Sequence, residues 1–190
     1  SSFDNATTDN STANHLRGVT FGNNTFVAVG DSGNIVRSTN NGSSFDNATT
    51  DNSTANHLRG ITFGDSTFVA VGDSGNIVRS TDNGSSWENA TSPTANGLYG
   101  VTFGNNTFVA VGDSGNIVRS TDNGSSWENA TSPTANGLYG VTFGNNTFVG
   151  VGLNGNIIKS TDNGTSWEKT TSYGTSWEKT TSYSNSKLYV

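Results

Sequence analysis

The sequence predicts an all-β protein built from about four repeated units, and three observations support this. The motif Gly-Val-Thr-Phe, or Gly-Ile-Thr-Phe, begins at Gly18, Gly60, Gly100 and Gly140, in steps of 42, 40 and 40 residues. Short runs of β-branched and aromatic residues alternate with Gly-, Asn- and Asp-rich turns. Apolar residues show helical spacing nowhere in the chain. We therefore expect short strands joined by tight turns in every unit.

One unit divides into four strands, and the third unit illustrates the division. Residues 98–103, 107–111, 116–121 and 126–131 are rich in β-branched, aromatic or small residues, with turn signals between them. The turn Asp122-Asn123-Gly124 contains the Asn-Gly step that tight hairpins favour, because it tolerates positive φ. Each unit is therefore predicted to be a four-stranded antiparallel meander.

A four-stranded meander of about 40 residues is the size of one blade of a β-propeller. Its apolar faces need neighbouring blades, because one blade alone cannot bury them. We predict a single propeller domain over residues 1–190, with about four blades and surplus terminal strands. The blade units are 18–59, 60–99, 100–139 and 140–173, preceded by a spare outer strand and loop (1–17) and followed by a duplicated strand and tail (174–190).

The most specific motif lies between the third and fourth strands. Residues 80–87 read Ser-Thr-Asp-Asn-Gly-Ser-Ser-Trp, and this pattern returns at 120–127 and 160–167. It resembles the Asp-box repeat (Ser-x-Asp-x-Gly-x-Thr-Trp, also called BNR) of sialidase-type β-propellers. The first copy departs from it at Asn40 and Phe45. The resemblance implies a structural role, in which the Asp accepts backbone N–H groups and the Trp packs between strands. The residues concerned are Asp82, Trp87, Asp122, Trp127, Asp162 and Trp167.

The resemblance also raises the question of sialidase chemistry. That chemistry needs three arginines, a Tyr–Glu nucleophile pair and an acidic Asp, placed once around a central site. The charged residues here recur with the repeat instead, and Arg17 and Arg59 are copies of each other. The recurring sets are Arg37, Arg79 and Arg119 with Lys159, and Glu88, Glu128 and Glu168 with Glu178. We therefore predict no catalytic residues and no enzyme activity.

Composition excludes several other classes of function. The chain has no Cys and two His, His15 and His57, at one repeated position, so we expect no metal site and no cofactor. The turn Asp82-Asn83-Gly84 lacks the further acidic ligands of a calcium loop. A net charge of −6 without Lys/Arg clusters argues against nucleic acid. The chain contains no run of about 20 apolar residues, so we predict no membrane-spanning helix.

N-glycosylation sequons are unusually dense. Chance explains some of them, because Asn, Ser, Thr and Gly make up more than half of the chain. The alternative is a secreted, extracellular or cell-surface glycoprotein carrying covalent N-glycans. The candidate sites are Asn5, Asn10, Asn23, Asn41, Asn47, Asn52, Asn83, Asn89, Asn105, Asn123, Asn129, Asn145 and Asn163.

Outer-strand segments outnumber the blades. Four trios of first, second and third strands exist, but six segments resemble a fourth strand: 2–8, 44–50, 86–92, 126–132, 166–172 and 176–182. One spare strand can close the ring, and another can pair with a second molecule. Head-to-tail exchange of terminal strands would give a filament. Our hypothesis is a non-enzymatic structural subunit whose partner is itself.

Two alternatives remain open at this stage. Tyr99 and Tyr139, in the loop 92–99 and its copy 132–139, can stack on sugars in a lectin-like propeller or fill space between blades. An engineered consensus propeller would explain why residues 81–112 and 121–152 differ at one position only. The 42-residue first step and the duplicated tail do not fit such a design.

Overall fold

The computed structural model describes residues 7–8, 14–50 and 56–170, which form four blades of mainly antiparallel sheet. The first strands are Leu16–Gly22, Leu58–Gly64, Leu98–Gly104 and Leu138–Gly144. The second strands are Thr25–Gly30, Thr67–Gly72, Thr107–Gly112 and Thr147–Gly152. The third strands are Ile35–Ser38, Ile77–Ser80, Ile117–Ser120 and Ile157–Ser160. The fourth strands are Ser44–Asn47, Ser86–Asn89, Glu128–Asn129 and Glu168–Lys169.

The turns follow from the residues that the sequence places there. In the third blade, Asn105 and Asn106 join the first two strands with φ of 48° and 55°, and Asn123 and Gly124 join the last two with φ of 62° and 76°. Positive φ at successive central residues matches the twist of a tight hairpin, and Asn and Gly adopt it at low cost. The strand order within each blade is therefore set locally.

Two details differ from the predicted strands. A 3-10 turn, Asp113–Gly115, connects the second and third strands of the third blade, with Ser114 at φ 56°. The fourth strand is also shorter than residues 126–131, because regular pairing covers only Glu128–Asn129. The flanking residues pair with neighbouring blades instead. Ser126 forms an isolated parallel bridge with Thr91 of the second blade, and Thr131 forms one with Ser166 of the fourth.

Parallel edge strands link each blade to its neighbour. Thr49–Thr50 follows the fourth strand of the first blade and pairs in parallel with Ser86–Trp87 of the second. Its sequence copy, Thr7–Thr8, pairs in the same way with Ser44–Phe45 of the first blade. Part of the predicted surplus strand 2–8 is therefore a fifth strand on the first blade. The rest of that segment, and the duplicated strand 176–182, lie outside the described residues.

The core lies between the blades. Side chains from the second and third strands of one blade pack on the next blade, and the first strands of successive blades also pack together. The first such cluster consists of Val27, Val29, Ile35, Leu58, Phe68, Ala70, Val78 and Trp87. Within the described ranges, closely packed strand pairs join consecutive blades only. The fold is an all-β propeller arrangement of four blades.

Candidate functional site

The hairpin of residues 80–87 holds its Asp in a dense hydrogen-bond network. One carboxylate oxygen, Asp82 Oδ1, accepts the backbone N–H of Ser85 at 3.1 Å and of Ser86 at 2.9 Å, and the Ser80 hydroxyl at 2.8 Å. The Ser86 hydroxyl donates to Oδ2 at 2.6 Å. The carboxylate thus closes the turn and contacts only its own hairpin in this network.

The same hydrogen bonds set the acidity of the three hairpin aspartates. At Asp162, the Ser166 hydroxyl and N–H and the Ser160 hydroxyl lower the pKa to about 2. At Asp82 and Asp122, desolvation acts most strongly and in the opposite sense, but the serine and backbone donors outweigh it together and the pKa again falls to about 2. These carboxylates are structural anions and poor proton donors at neutral pH.

The Trp of each hairpin is buried against the blade. Trp87 donates its indole N–H to Gly84 O at 3.2 Å, and its ring centroid lies 6.4 Å from that of Phe68. Trp127 and Trp167 repeat the bond at 3.1 and 3.0 Å. Because the polar end is paired and the ring is covered, the Trp contributes to packing.

The first hairpin keeps this geometry with a neutral side chain. Asn40 Oδ1 accepts the Ser44 N–H at 3.0 Å and the Ser38 hydroxyl at 2.9 Å. Its Nδ2 donates to Ser44 Oγ at 2.8 Å. An amide therefore replaces the carboxylate in the first blade without loss of the turn.

The repeated charged residues pair within their own blades. Arg79 contacts Glu88 at 2.7 Å, and two further pairs follow. They are Arg119–Glu128 at 3.0 Å and Lys159–Glu168 at 3.1 Å. Each pair lines a shallow polar cleft beside its hairpin, of about 180, 160 and 210 Å³ in the second, third and fourth blades. The clefts repeat with the blades, so none of them is a unique asymmetric site.

One repeat position does vary in a chemically significant way, and the sequence analysis did not identify it. The residue before each Gly-Val/Ile-Thr-Phe motif is Arg17, Arg59, Tyr99 or Tyr139. Each lies at the start of a first strand, and first strands of successive blades are neighbours. Two cations and two aromatic rings therefore follow one another along one end of the blades. Alignment of the four motifs would have revealed this row.

Acidic residues of the 3-10 turns form hydrogen bonds or ion pairs with three of these four residues. Arg59 Nε and Nη2 both bind the carboxylate of Asp73 at 2.8 Å, and this pairing lowers the pKa of Asp73. The Tyr99 hydroxyl donates to Asp113 Oδ2 at 2.9 Å, which raises the pKa of Tyr99. Arg17 pairs with Asp31 in the same way.

The fourth member lacks this partner. Leu153 occupies the position of Asp113 in the fourth blade, and Tyr139 is 50% exposed. Its ring centroid lies 5.3 Å from that of Tyr99, at an interplanar angle of 51°. The two predicted sugar-stacking residues are thus brought together, with one ring positioned by a carboxylate and the other half open to solvent.

His57 links two blades. Its Nδ1 accepts the Ser32 N–H at 3.1 Å and lies 3.0 Å from Asp31 Oδ1. In the described part of the chain, no three His, Cys, Asp or Glu side chains are grouped to hold a metal ion. The helical turns in these residues have neither the length nor the hydrophobicity of a transmembrane helix.

The described sequons fall into two environments. Asn89, Asn129 and Asn145 are exposed on outer strands or turns. Asn83 is half-buried between blades, where its Nδ2 donates to Thr25 Oγ1 at 2.6 Å, and Asn123 occupies the equivalent position. Asn5, Asn10 and Asn52 lie outside the described residues.

Solved structures with similar folds include enzymes and proteins without a stated activity. YCF48 from Cyanidioschyzon merolae aligns with a TM-score of 0.66 at 17% identity, over 84% of this chain and 57% of that one. A catalytically inactive virginiamycin B lyase from Staphylococcus aureus, crystallised with quinupristin, gives 0.71 at 18%, over 84% and 56%. The computationally designed Ika4 gives 0.63 at 11%, over 83% and 98%. At these identities the likeness concerns the fold alone.

Sequence comparison is more specific. A search of curated proteins finds no match. The chain spans somewhat more than half the length of YCF48 and of the lyase. The model of the DUF6242 beta propeller domain matches residues 2–138, which is well over half of the chain. The protein therefore belongs to the DUF6242 β-propeller domain family.

Proposed function

We propose that this protein is a non-enzymatic structural module that assembles head-to-tail into an extracellular filament by exchange of terminal β-strands. The observation that carries this proposal is the parallel edge pairing. The segment after an outer strand, Thr49–Thr50, leaves its own blade and pairs with the outer strand of the next one at Ser86–Trp87. Neighbouring blades are therefore already joined by strand donation within the chain.

The N-terminal repeat copy extends this device beyond the first blade. Residues 1–17 are identical to residues 43–59. Within the second copy, Ser44–Asn47 forms the outer strand of one blade, and Thr49–Thr50 then crosses to the next. Since Thr7–Thr8 pairs with the first blade in the same way, residues 2–5 suit the outer edge of a blade that precedes it. We propose that they exchange with the outer strand Glu168–Lys169 in the fourth blade of another copy. Such a contact is heterologous, and it gives a filament when the rotation between copies does not close a ring.

The arrangement of charges supports a non-enzymatic role. The ion pairs recur from blade to blade, and the hairpin carboxylates are held by their own turns. We assign these hairpins as Asp-boxes, because the Asp network and the buried Trp match what that motif implies. Exposed sequons such as Asn129 and Asn145 support N-glycosylation and an extracellular location.

Negative-stain electron microscopy and light scattering of the full chain test this proposal. We expect continuous filaments with a subunit-sized repeat for the wild type. Asp4 is the sequence copy of Asp46, which pairs with Arg37 in the first blade. If the donated strand uses the same register, Asp4→Pro would remove a ladder N–H and should abolish the filaments, whereas Asp4→Ala, the matched control, should not. A monodisperse monomer at high concentration would refute the proposal.

A carbohydrate-binding module or adhesin is the second candidate, and the Tyr99–Tyr139 pair favours it. The rings lie 5.3 Å apart, Tyr139 is half exposed, and the adjacent row position holds Arg59. Aromatic faces beside a polar group are a common sugar platform. Glycan-array binding that is lost in Tyr139→Ala but retained in Tyr139→Phe would support this function, and absence of binding to any glycan would reject it.

A further inference from the structure

Two opposite faces of the blade row expose large apolar side chains. The head face belongs to the first blade and the tail face to the fourth, and each carries three such residues. They are Leu16, Val19 and Phe21 on the head face, 49%, 66% and 52% exposed, and Val151, Leu153 and Ile157 on the tail face, 46%, 46% and 43% exposed. Clusters of this kind on opposite faces are typical of interaction surfaces.

Where two blades meet, the repeat counterparts of Leu16, Val151 and Ile157 are buried, and those of Val19 and Phe21 are half-buried. Leu58, the repeat counterpart of Leu16, is 0% exposed, and Ile77, the counterpart of Ile157, is 1% exposed. Within the chain, a surface like the head face is therefore covered by a surface like the tail face of the preceding blade. Among the described residues, the two end faces are therefore the unpaired halves of a contact that occurs three times between blades.

A glycine socket makes the match specific. At the first blade boundary, the Phe63 ring lies on Gly22 so closely that a Cβ at Gly22 would be 2.1 Å from Phe63 Cγ. Gly64 and Gly104 receive Phe103 and Phe143 in the same way. Gly144 on the tail face has nothing within 4 Å of such a Cβ, and Phe21 on the head face is half exposed. An empty socket and an unseated ring thus lie at opposite ends of the row.

The glycines of the hairpins between third and fourth strands are likewise covered at the interior boundaries and open at the end of the row. A Cβ at Gly84 would lie 3.0 Å from Val27 Cγ2 of the preceding blade, and Gly124 and Gly164 repeat this contact. Gly42, in the first hairpin, has nothing within 4 Å. The repeat counterpart of Val27 on the tail face is Val149.

Polar groups complete the interior boundary. Arg37 Nη1 donates to the Asn83 backbone oxygen at 3.1 Å, and Asn83 Nδ2 donates to Thr25 Oγ1. Their counterparts at the ends are Lys159 on the tail face and Asn41 on the head face. Asn41 has φ 58° against 64° for Asn83, so its carbonyl is presented by the same turn conformation.

One substitution distinguishes the tail face from the interior boundaries. The first residue of the 3-10 turn between the second and third strands is Asp31, Asp73 or Asp113 in the first three blades. Asp31 contacts His57 of the next blade. The fourth blade carries Leu153, which is half exposed. An apolar residue replaces a charged one where the face has no neighbour within the described chain, which favours burial against a further surface.

We propose that the head face of one copy docks on the tail face of a second copy and reproduces the interior blade boundary between molecules. Phe21 occupies the Gly144 socket, Gly42 packs on Val149, and Lys159 donates to the Asn41 carbonyl. This inference rests on the proposed head-to-tail assembly and names its main interface, which is face stacking in addition to strand donation. The contact is heterologous, because each copy contributes its head face to one contact and its tail face to another, and it continues as a filament when the rotation does not close a ring.

Single-charge variants test the contact. Val19→Glu blocks the head face, Ile157→Glu blocks the tail face, and Thr121→Glu places the same charge on an exposed hairpin as the matched control. Burial of an unpaired carboxylate should weaken docking by about a hundredfold or more. We expect both face variants to be folded monomers by circular dichroism and light scattering, and the control to assemble as the wild type does.

A mixing experiment adds a positive outcome. Val19→Glu retains its tail face and Ile157→Glu retains its head face, so equal amounts should form a one-to-one dimer that grows no further. Persistence of two monomers in the mixture, or unchanged assembly of each variant alone, would overturn the inference.

The Asp4→Pro variant separates this inference from the proposed strand exchange. If the face variants assemble normally and Asp4→Pro does not, face docking is wrong and strand exchange stands. If Asp4→Pro assembles and the face variants do not, face docking stands and strand exchange is wrong. A wild-type monomer at high concentration would overturn both.

Discussion

The ring of Phe63 in the second blade lies directly on the backbone of Gly22 in the first, where a Cβ would approach Phe63 Cγ to 2.1 Å. The same ring lies 4.6 Å from Phe68 of its own blade. The Gly-x-Thr-Phe-Gly motif therefore joins blades, because its Phe projects onto the Gly of the preceding copy. This explains why both residues recur at every blade boundary.

The first prediction compares a filled and an empty glycine socket. In Gly64→Ala, the new methyl group would meet Phe103 at 2.0 Å, and the blades must separate or the ring must move. Such overpacking should lower the free energy of unfolding by about 1–3 kcal/mol. Gly144→Ala has open space and serves as the matched control. Urea unfolding of the two variants below the assembly concentration, where no second copy contacts Gly144, checks this, and equal midpoints would contradict it.

The second prediction compares one apolar position inside the row and at its end. Ile77→Ala removes a side chain that is 1% exposed, and it should cost about 2–5 kcal/mol of unfolding free energy. Ile157→Ala changes the equivalent residue at 43% exposure and should cost less than about half as much in the monomer. Chemical denaturation below the assembly concentration measures both. A larger loss for Ile157→Ala would contradict the assignment of the tail face.

Local chemistry made much of the fold predictable. The hairpin at Asn123 and Gly124 requires positive φ at both residues. Asn and Gly adopt positive φ at low cost, so the Asn-Gly step itself predicts the turn. The burial of Trp87 followed from its place in a repeated motif. Both features depend on residues a few positions apart, so they can be derived without knowledge of the neighbouring blades.

Features that depend on other blades were not predictable in the same way. The parallel pairing of Thr49–Thr50 with the second blade joins segments 37 residues apart, and nothing in either segment specifies the partner. The residue before each Gly-Val/Ile-Thr-Phe motif can be read from the sequence. Its role as part of a row of paired side chains depends on the contacts of Arg59 with Asp73 and of Tyr99 with Asp113, which only the structure gives. The exposure of Phe21 became apparent only once its half-buried counterparts, such as Phe63, were located in space.

The third prediction uses the natural substitution in the first hairpin. Asn40 accepts the Ser44 N–H, the counterpart of the Ser86 N–H that Asp82 accepts, so Asp82→Asn should retain most of the stability. Asp82→Ala leaves the Ser86 N–H and hydroxyl without that acceptor and should cost about 1–2 kcal/mol. Thermal unfolding of the two variants distinguishes them, and equal losses would refute the hydrogen-bond explanation.

The fourth prediction concerns acid stability. The folded-state pKa of Asp82, Asp122 and Asp162 is about 2, below the usual value of 3.8 for an aspartate. A lowered folded pKa stabilises the fold above the unfolded-state value, and this contribution is lost as pH falls through the folded value. Stability should therefore decrease between about pH 4 and pH 2. In the triple Asp→Asn variant this decrease should be much smaller, as denaturation at several pH values can measure; an unchanged profile would assign it to other carboxylates.

The fifth prediction distinguishes the two environments of the sequons and follows from the proposed secretion. Asn129 and Asn145 are exposed, so a glycan on their side-chain nitrogen projects into solvent. Asn83 uses that nitrogen to bind Thr25 across a blade boundary, and Asn123 occupies the same place one blade later. Glycopeptide mass spectrometry of protein secreted from eukaryotic cells should find sugar on the exposed pair and little on the boundary pair. Enzymatic glycosylation before folding is complete would remove this difference, because all four side-chain nitrogens are then accessible. Sugar on the exposed pair alone would therefore also indicate that the blade boundaries form before the transferase can reach these turns.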